Sequence, residues 1–313
     1  MTAITAAMVK ELRDKTGAGM MDCKGALTET GGDIEKAIDW LRKKGLSKAA
    51  KKAERIAADG LIGVAVSGQT GAVVEVNSET DFVARNDKFQ KMVGDIATLA
   101  VNASGTLEKL QGLTYPGTSE TVDAHLKEMV ATIGENMSLR RTAALSVGKG
   151  VVASYVHNRV VDGLGKIGVL VAVESEGAAE SLSEIGRQVA LHIAAANPQA
   201  ISPEDLDKAA IERERQVYLE QAKASGKSAD IVEKMVEGRL RKEFFSQVVL
   251  LQQVFFGPGG DGKMSVEQYL KDAAKAAGAP VKISGFVRYA LGEGIEKKEG
   301  DFSDEVAKLV KGS

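Results

Sequence analysis

Apolar residues near the start of the chain recur at helical spacing in three short stretches. The last of these is the clearest, because Gly31-Gly32 interrupts the chain and Asp33 can then cap a helix. After this cap, apolar side chains repeat every three or four residues, at Ile34, Ala37, Ile38 and Leu41. Shorter apolar stripes around Leu12 and Leu27 precede it. The pattern predicts a compact bundle of three helices over residues 1–46.

The end of this bundle is predicted from a single glycine. Gly45 is expected to stop the third helix, since glycine is a poor helix former and is common just after a helix end. An alanine-rich basic stretch over residues 48–58 follows. It is expected to form a separate linking helix within residues 47–59.

At Leu61 the pattern changes from helical spacing to extended runs rich in β-branched residues. The runs over residues 61–66 and 72–76 are separated by a glycine-containing polar stretch, residues 67–71. This arrangement predicts a β-hairpin with one of the longer loops.

Two helices are predicted to follow the hairpin. The first begins near Asp87, and the second lies within residues 122–133. The stretch between them, residues 103–119, is predicted to be a loop. The apolar side of the first helix consists of Phe89, Met92, Val93, Ile96 and Ala100.

The order of hairpin then helix occurs a second time. Extended runs over residues 151–156 and 167–173 precede an amphipathic stretch that ends at Asn197-Pro198. We therefore predict an α+β fold whose core consists of two related α+β subdomains with small antiparallel sheets. The first comprises residues 60–147, and the second comprises residues 148–198 and 248–294.

A highly charged segment, residues 199–247, divides the second subdomain. It opens with Ser202-Pro203, a helix start with proline at the first helical position, and is interrupted at residues 224–228. Two helices with so few apolar residues would protrude as a hairpin. Such a hairpin is either a solvated excursion or a contact with a second copy or another partner.

The remainder of the chain is predicted to alternate between strand and helix. We predict a strand within residues 248–256, a helix capped by Ser265 and a strand over residues 281–289. A last short helix, around residues 306–310, would belong to a C-terminal module over residues 295–313.

Composition restricts the functional classes. The 313 residues are 44% hydrophobic and carry a formal net charge of -2, so no overall field would attract nucleic acid or an anionic membrane. A single cysteine, Cys23, excludes an internal disulfide. No apolar run approaches the roughly 20 residues needed to span a bilayer. We expect a cytoplasmic protein without membrane association.

Two glycine-rich segments match nucleotide-binding motifs only in part. Residues 163–168 have dinucleotide-binding spacing, but an extended run follows where the motif requires a helix, so we interpret them as a hairpin turn. Residues 257–263 are one residue short of a P-loop, and Met264 stands where a hydroxyl would bind magnesium. Asp261 would also place a carboxylate among the amides that should bind phosphate. A P-loop NTPase is kept as an alternative only.

Candidate catalytic residues show no pattern typical of an enzyme. The three histidines, His125, His157 and His192, have no metal-type spacing, and His192 has the apolar neighbours of a packed side chain. No serine or cysteine lies in a recognisable nucleophile motif. We expect no enzymatic activity, no cofactor and no bound metal.

One strongly basic segment has the charge to bind a partner. Its seven cations are opposed only by Glu54. A solvated helix face, an acidic protein partner and RNA remain open as interpretations, although the lack of interleaved aromatic residues favours protein over single-stranded nucleic acid. The cations are Arg42, Lys43, Lys44, Lys48, Lys51, Lys52 and Arg55.

Residues 77–86 place an acid and a phenylalanine, Asp81 and Phe82, side by side between a predicted strand and a predicted helix. On a strand or a helix, neighbouring side chains point in different directions. A phenylalanine beside a turn is by default a core anchor, so the pattern alone does not assign a binding role.

Residues 80–85, which read Thr-Asp-Phe-Val-Ala-Arg, resemble a signature of the translation elongation factor Ts family. Residues 9–13 and 16–24 resemble the N-terminal signature of the same family. Further matches occur, in the order of the family, at residues 133–136, 192–195, 233–239 and 292–297. This ordered set is far more specific than either glycine-rich segment.

The resemblance implies an N-terminal bundle similar to a ubiquitin-associated domain, a two-part α+β core, a protruding helical hairpin linked to dimer formation and a C-terminal helical module. It also implies a function. Members of the family act as guanine nucleotide exchange factors that bind elongation factor Tu and promote GDP release during translation elongation. A basic helical adaptor or an RNA-binding protein is the alternative, although no direct nucleic acid contact is expected.

The resemblance also implies which residues contact Tu. Asp81 and Phe82 would form the loop that intrudes on the G domain of Tu, and the N-terminal bundle would lie against the same domain. The histidine in residues 154–157 matches a further contact, although the turn over residues 158–164 is longer than the turn of the family. The third domain of Tu is expected to be contacted as well. The expected contact residues are Thr80, Asp81, Phe82, Val83, Arg13, Met20, Met21 and His157.

Overall fold

Helices and short strands alternate along the parts of the chain that the structure, a computed structural model, describes: residues 4–16, 18–223 and 227–296. The helices are α1 (Ala6–Thr16), α2 (Met20–Glu29), α3 (Ile34–Lys52), α4 (Asp87–Ala100), α5 (Leu107–Gly112), α6 (Val122–Ile133), α7 (Ala179–Ala196), α8 (Lys208–Lys223), α9 (Ala229–Arg239), α10 (Ser246–Val248) and α11 (Val266–Ala277). The strands are β1 (Asp59–Ser67), β2 (Thr70–Ser78), β3 (Met137–Ser146), β4 (Gly150–His157), β5 (Leu164–Gly165), β6 (Ile167–Glu174) and β7 (Lys282–Ala290).

The predicted helix over residues 306–310 lies outside the described residues, as does the C-terminal module apart from residues 295–296. Within the described part of the chain, none of the helices combines the length and apolarity needed to cross a membrane.

The N-terminal bundle packs α1, α2 and α3 around a small apolar core that includes Leu12, Cys23 and Leu27. Three helices were predicted here and three are present. The third, however, continues through Gly45 to Lys52, so the predicted break at Gly45 and the separate linking helix after it were wrong.

Gly45 does not end the helix but allows it to pack closely against another helix. A Cβ atom at position 45 would lie 2.9 Å from the Cβ of Ala131 in α6, which is too close for two carbon atoms. The missing side chain therefore lets α3 lie directly against α6. The Lys52 ammonium group, at the end of α3, donates a hydrogen bond to the carbonyl of Gly134 just after α6. Through these contacts the bundle is docked on the core.

Two antiparallel sheets form the centre of the core and pack face to face. Their strand orders are β3-β2-β1-β5 and β4-β6-β7. Both predicted hairpins are present as the pairs β1–β2 and β4–β6. Glycine permits the close approach of the sheets, since a Cβ on Gly168 would lie 2.5 Å from the Ile62 side chain and one on Gly71 would lie 2.7 Å from Val152.

Helices cover the outer face of each sheet. Leu61 and Val74 of the first sheet pack with Phe89 of α4 and with α6. Val171 of the second sheet packs with Ile193 of α7 and with α11. The resulting order of layers is helix, sheet, sheet, helix, and the α+β class expected from the sequence is confirmed.

The sequence did not reveal β3, the edge strand of the first sheet. It pairs with β2 along its length, but the register shifts between Glu75 and Val76. This bulge moves the apolar residues of β3 from one face to the other, so that Leu139 packs under the helices and Leu145 packs between the sheets. Because the alternation is broken in the middle of the strand, its sequence shows no simple period of two.

Three other local predictions were wrong. The stretch over residues 103–119 contains α5. The β1–β2 connection is a two-residue loop, since Ser67 pairs with Thr70 and Gly68 supplies a φ of 58°. Residues 248–256 form short helical turns with isolated bridges, and their consecutive residues Val249 and Leu250 belong to two different apolar clusters.

The charged segment forms two helices, α8 and α9, as predicted. They pack around a small cluster of their own that includes Tyr218, Val232 and Val236. The helical hairpin is thus held together by its own apolar contacts.

A buried carboxylate joins the two sheets at one end. Glu75 of β2 is fully buried and accepts hydrogen bonds from Arg140 and Arg141 of β3. The backbone amide of Gly292, just after β7, donates to the same carboxylate at 2.9 Å, and the amide group of Asn77 donates at 3.0 Å. Because β2 and β3 belong to one sheet and β7 to the other, this cluster ties the sheets together.

Burial alone would raise the pKa of Glu75. The hydrogen bonds from Gly292, Asn77 and Arg141 outweigh burial and hold the pKa below its ordinary value of 4.5. The ionised carboxylate therefore stabilises the folded protein.

Replacing this carboxylate should be costly. Glu75→Gln should lower the free energy of unfolding by about 3 kcal/mol, since it leaves two half-buried guanidinium groups without their counter-charge. Urea unfolding measures the loss. Glu176→Gln is the control, because it removes an ion pair with Lys149 in which both side chains are exposed, and it should cost less than about 1 kcal/mol. Equal losses at the two positions would contradict the role of Glu75.

The contribution of Glu75 should also depend on pH. Its folded-state pKa is lowered, so the stabilisation is fully present above the ordinary value of 4.5 and is lost as the pH falls through the folded-state pKa. The difference in unfolding free energy between the parent protein and Glu75→Gln should therefore be constant near neutral pH and shrink below pH 4.5. A difference that grows on acidification would contradict this assignment.

Candidate functional site

The loop between β2 and α4 presents an exposed aromatic side chain. Phe82 is 73% exposed, whereas its neighbours Val83 and Ala84 are buried in the core under α4. Val83, the next residue, thus anchors the turn in the core. A phenylalanine beside a turn would by default have this role. Phe82 itself points a large apolar surface at solvent, where a partner could cover it.

The base of the loop is held by the turn that follows α6. Both carboxylate oxygens of Glu135 accept hydrogen bonds from Thr80, one from its backbone amide at 3.0 Å and one from its hydroxyl at 2.8 Å. In return, Glu79 accepts a hydrogen bond from the backbone amide of Asn136. The strand end and the turn therefore hold each other reciprocally.

The other end of the loop is fixed by a helix cap. The backbone amide of Arg85 donates to the carbonyl of Phe82 at 3.1 Å, which closes a short 3-10 turn over Val83–Arg85. The side-chain oxygen of Asn86 then accepts from the amides of Lys88 and Phe89 at 3.0 and 3.2 Å and caps α4. Phe82 is therefore exposed on a rigid turn.

Asp81 lies beside Phe82 and is also accessible. Its carboxylate accepts a hydrogen bond from Arg85 at 3.2 Å, and both side chains are exposed. An exposed ion pair of this kind contributes little to stability. The carboxylate can therefore exchange Arg85 for a partner's donor at small cost.

The predicted contact residues of the N-terminal bundle are also at the surface. Met20 and Met21, at the start of α2, are 46% and 78% exposed. Arg13 of α1 lines the cleft between the bundle and the core, and Lys88 in the first turn of α4 lines the same cleft. Arg13 thus lies on the side of the molecule where the Phe82 loop enters α4.

His157 stands exposed at the end of β4. Its ring nitrogen Nδ1 is 3.2 Å from the hydroxyl of Tyr155. Its carbonyl accepts from the amide of Lys166, whose ammonium group lies 3.3 Å from the carbonyl of Gly60. Gly60 pairs with Asn77, so His157 and the Phe82 loop lie at the same end of the two sheets. The turn after His157 leads into β5, which joins the edge of the first sheet.

Neither glycine-rich segment has the strand–loop–helix context of a nucleotide-binding motif: the first lies in the connection between β4 and β6, and the second is a loop before α11. Residues 163–168 contain β5 and run into β6. In the second segment, the Asp261 carboxylate accepts from the amides of Lys263 and Met264 at 2.8 and 2.6 Å. It occupies the donors that a P-loop would offer to phosphate, which argues against the NTPase alternative.

His192 is a packed side chain. It is buried and bonded to Gln253 at 2.9 Å, and its other ring nitrogen accepts from the amide of Phe256 at 3.0 Å. Burial lowers its pKa, although the contact with Gln253 acts in the opposite direction. A neutral imidazole with both nitrogens engaged fits a structural role.

The basic segment is largely engaged within the protein. Among the cations whose side chains the structure describes, four have intramolecular partners, which leaves less charge for an RNA backbone than the sequence suggested. The pairs are Arg42 with Glu120, Lys44 with Asp22, Lys52 with the Gly134 carbonyl and Arg55 with Glu79.

One group among the described residues has the spacing of a metal-ligand set. Ligand atoms of Glu120, His125 and Glu128 lie within 4.8 Å of one another. Arg42, however, already pairs with Glu120, and the His125 ring stacks on Tyr115 at a centroid distance of 3.7 Å. A metal ion would have to compete with the guanidinium group. The geometry fits a contact between α3 and the core better than a metal site.

Sequence reasoning missed the residues that support the loop. Glu135 and Asn136 entered only as part of a matching segment, and Glu79 was assigned no role. No local pattern could reveal them, because Thr80 and Glu135 are 55 positions apart in the chain. Val83, predicted as a contact, is only 4% exposed and supports the turn from inside.

An exposed aromatic side chain on a turn that is held at both ends, beside an accessible acid, suits contact with another protein. The sequence matches the family described as Elongation factor TS over residues 79–293. The chain is 60% identical over 312 residues to Elongation factor Ts of Parvibaculum lavamentivorans, with 100% of each chain covered. It is 59% identical over 313 residues to Elongation factor Ts of Rhizobium etli, again with 100% of each chain covered.

A third relative is Elongation factor Ts of Bartonella quintana, which is 56% identical over 310 residues, or 99% of this chain and 100% of the relative. The chain therefore belongs to the elongation factor Ts family. The resemblance drawn from its short motifs is confirmed, and with it a role in translation elongation.

The Asn86 cap should contribute to the order of the loop. Asn86→Ala removes the acceptor for two α4 amides and should cost about 1 kcal/mol of stability. Amide hydrogen exchange over residues 79–90 should rise at the same time. Asn86→Asp is the matched control, because aspartate caps equally well and should leave both measurements near the parent values. Identical behaviour of the two variants would contradict the capping role.

Proposed function

We propose that this protein is a guanine nucleotide exchange factor that binds elongation factor Tu and promotes GDP release by inserting Asp81 and Phe82 against the Tu G domain. The exposure of Phe82 on a turn that is held at both ends carries the proposal. Membership of the elongation factor Ts family supports it. The protein acts as a binding partner and performs no bond chemistry of its own.

A rigid turn makes Phe82 effective. Burying a phenylalanine is worth about 1.5–3 kcal/mol, which corresponds to roughly tenfold to a hundredfold in an equilibrium. Because the turn is already ordered, little of this free energy is lost in fixing its conformation on binding. The exposed Asp81 can accept hydrogen bonds from the partner beside the inserted ring.

Exchange also sets a thermodynamic requirement. If the protein lowers the affinity of Tu for GDP by some factor, bound GDP must lower the affinity of Tu for the protein by the same factor. The complex with nucleotide-free Tu must therefore be the tightest. The insertion of Phe82 alone cannot displace tightly bound GDP from Tu, so additional contacts have to act with it.

We assign these additional contacts to the N-terminal bundle, the second subdomain and the C-terminal module. Arg13, Met20 and Met21 of the bundle would press on the G domain, and His157 would contact it from the second subdomain. The C-terminal module, residues 295–313, and the third domain of Tu complete the proposed interface. The complex would form in the cytoplasm, where translation takes place.

The helical hairpin over residues 199–247 has a separate proposed role. Its exposed apolar residues Val217 and Ile231 would contact a second copy of the chain. This contact would allow a homodimer without involving the Phe82 loop.

The decisive change is Phe82→Ala. It should preserve the fold and yet slow the release of a fluorescent GDP from Tu by about tenfold or more, since the apolar insertion is lost. Stopped-flow fluorescence with full-length Tu measures the rate. Phe256→Ala is the control, because Phe256 is also highly exposed, at 63%, but lies on the side of α7 and α11.

Two outcomes would refute the proposal. The first is an unchanged release rate with Phe82→Ala. The second is equal affinity of the parent protein for GDP-bound and nucleotide-free Tu, because a factor without this preference has no free energy with which to displace nucleotide.

A further inference from the structure

The turn after α6 contacts both the Phe82 loop and the segment that follows the N-terminal bundle. Its contacts with the loop are the paired hydrogen bonds of Glu135 with Thr80 and the bond from the Asn136 amide to Glu79. The side chain of Asn136 also donates to the carbonyl of Arg55 at 2.7 Å. Arg55 in turn places its guanidinium group 3.5 Å from Glu79.

Arg55 belongs to the segment that connects α3 of the bundle with β1 of the core. The α6 turn thus binds the Phe82 loop on one side and the connection from the N-terminal bundle on the other. Glu79 and Glu135 are half-buried and Asn136 is only 8% exposed, whereas the Arg55 side chain is 57% exposed. The hydrogen bonds of Glu135 and Asn136 are therefore partly shielded from water.

We propose that Glu135 and Asn136 are positioning residues for nucleotide exchange, which hold the Asp81–Phe82 turn in its exposed geometry and fix it relative to the N-terminal bundle. The inference rests on the proposed function of the loop. A carboxylate that accepts two hydrogen bonds from one residue fixes both the place and the orientation of that residue. Thr80 immediately precedes Asp81, so its orientation decides where the inserted pair points.

Precise placement matters because a supporting contact that is loose by about 1 Å can abolish the benefit of a preorganised site. Glu135→Ala should therefore lower the kcat of Tu-bound GDP release by about tenfold, a loss typical of a hydrogen bond to a charged group. The KM for Tu with bound GDP should change less, since the remaining contacts of the interface are unaltered.

A double-mutant cycle separates positioning from other roles. If Glu135 acts through Phe82, Glu135→Ala should cause no further loss of kcat in a Phe82→Ala background. Thr80→Val provides a milder test, because it removes one of the two hydrogen bonds to Glu135 and keeps the backbone bond. It should lower kcat by a smaller factor and should also lose its effect in the Phe82→Ala background.

Amide hydrogen exchange, measured on the protein without Tu, reports directly how well ordered the loop is. Glu135→Ala should raise exchange over residues 79–86 and leave β1 unchanged. Thr142→Val is the matched control, since it removes a comparable side-chain bond, to the carbonyl of Val73 at 3.1 Å, from the same sheet but away from the loop. It should alter neither the exchange of residues 79–86 nor the kcat.

The outcomes distinguish this inference from the function on which it rests. Unchanged loop exchange in Glu135→Ala, or an equal loss of kcat in both backgrounds, would overturn the positioning role and leave the proposed function intact. An unchanged kcat in Phe82→Ala alone would instead refute the proposed function, and the positioning role in exchange would fall with it.

Discussion

The buried carboxylate of Glu75 is the constraint on which this architecture depends. Two facing sheets have apolar inner sides, and apolar contact alone does not fix how one sheet is placed on the other. A buried ionised carboxylate adds this restriction, because the Gly292 amide at the end of β7 has to reach it together with Arg140 and Arg141 of the first sheet. The bulge opposite Glu75 brings both consecutive arginines of β3 to the same carboxylate.

The bonds around Glu75 also help to fix the start of the Phe82 loop, because only a few residues separate the two along the chain. Asn77 donates to Glu75 and lies one residue before Ser78, whose hydroxyl donates to the carbonyl of Thr80 at 3.0 Å. The end of β2 is thus fixed before the chain turns outwards. Phe82 can remain exposed there, because Val83 and Ala84 supply the apolar contacts that hold the turn on the core.

Sequence periodicity predicted the elements that bury one side against a single neighbouring element. α4 and α7 are examples, because one side of each helix packs on one sheet. The predictions failed where an element packs against two neighbours, or where a residue makes a contact that is remote in sequence. Gly45 was taken as a helix stop because its contact with Ala131 is remote in sequence, and β3 was missed because a bulge divides its apolar residues between two clusters. For the site, motif resemblance identified Asp81 and Phe82, whereas Glu79, Glu135 and Asn136 became visible only through tertiary contacts.

Helix α6 emerges as the common support of the proposed interface. Its Ala131 accepts the bundle at Gly45, and its C-terminus ends in the left-handed residue Gly134, with a φ of 93°. That conformation turns the chain so that the next two residues reach the Phe82 loop. Bundle and loop are therefore attached to the last turn of α6 and the residues directly after it. Because a helix is stiff over this length, this attachment would keep the bundle and the loop in a fixed relation during the simultaneous contacts that the proposed function requires.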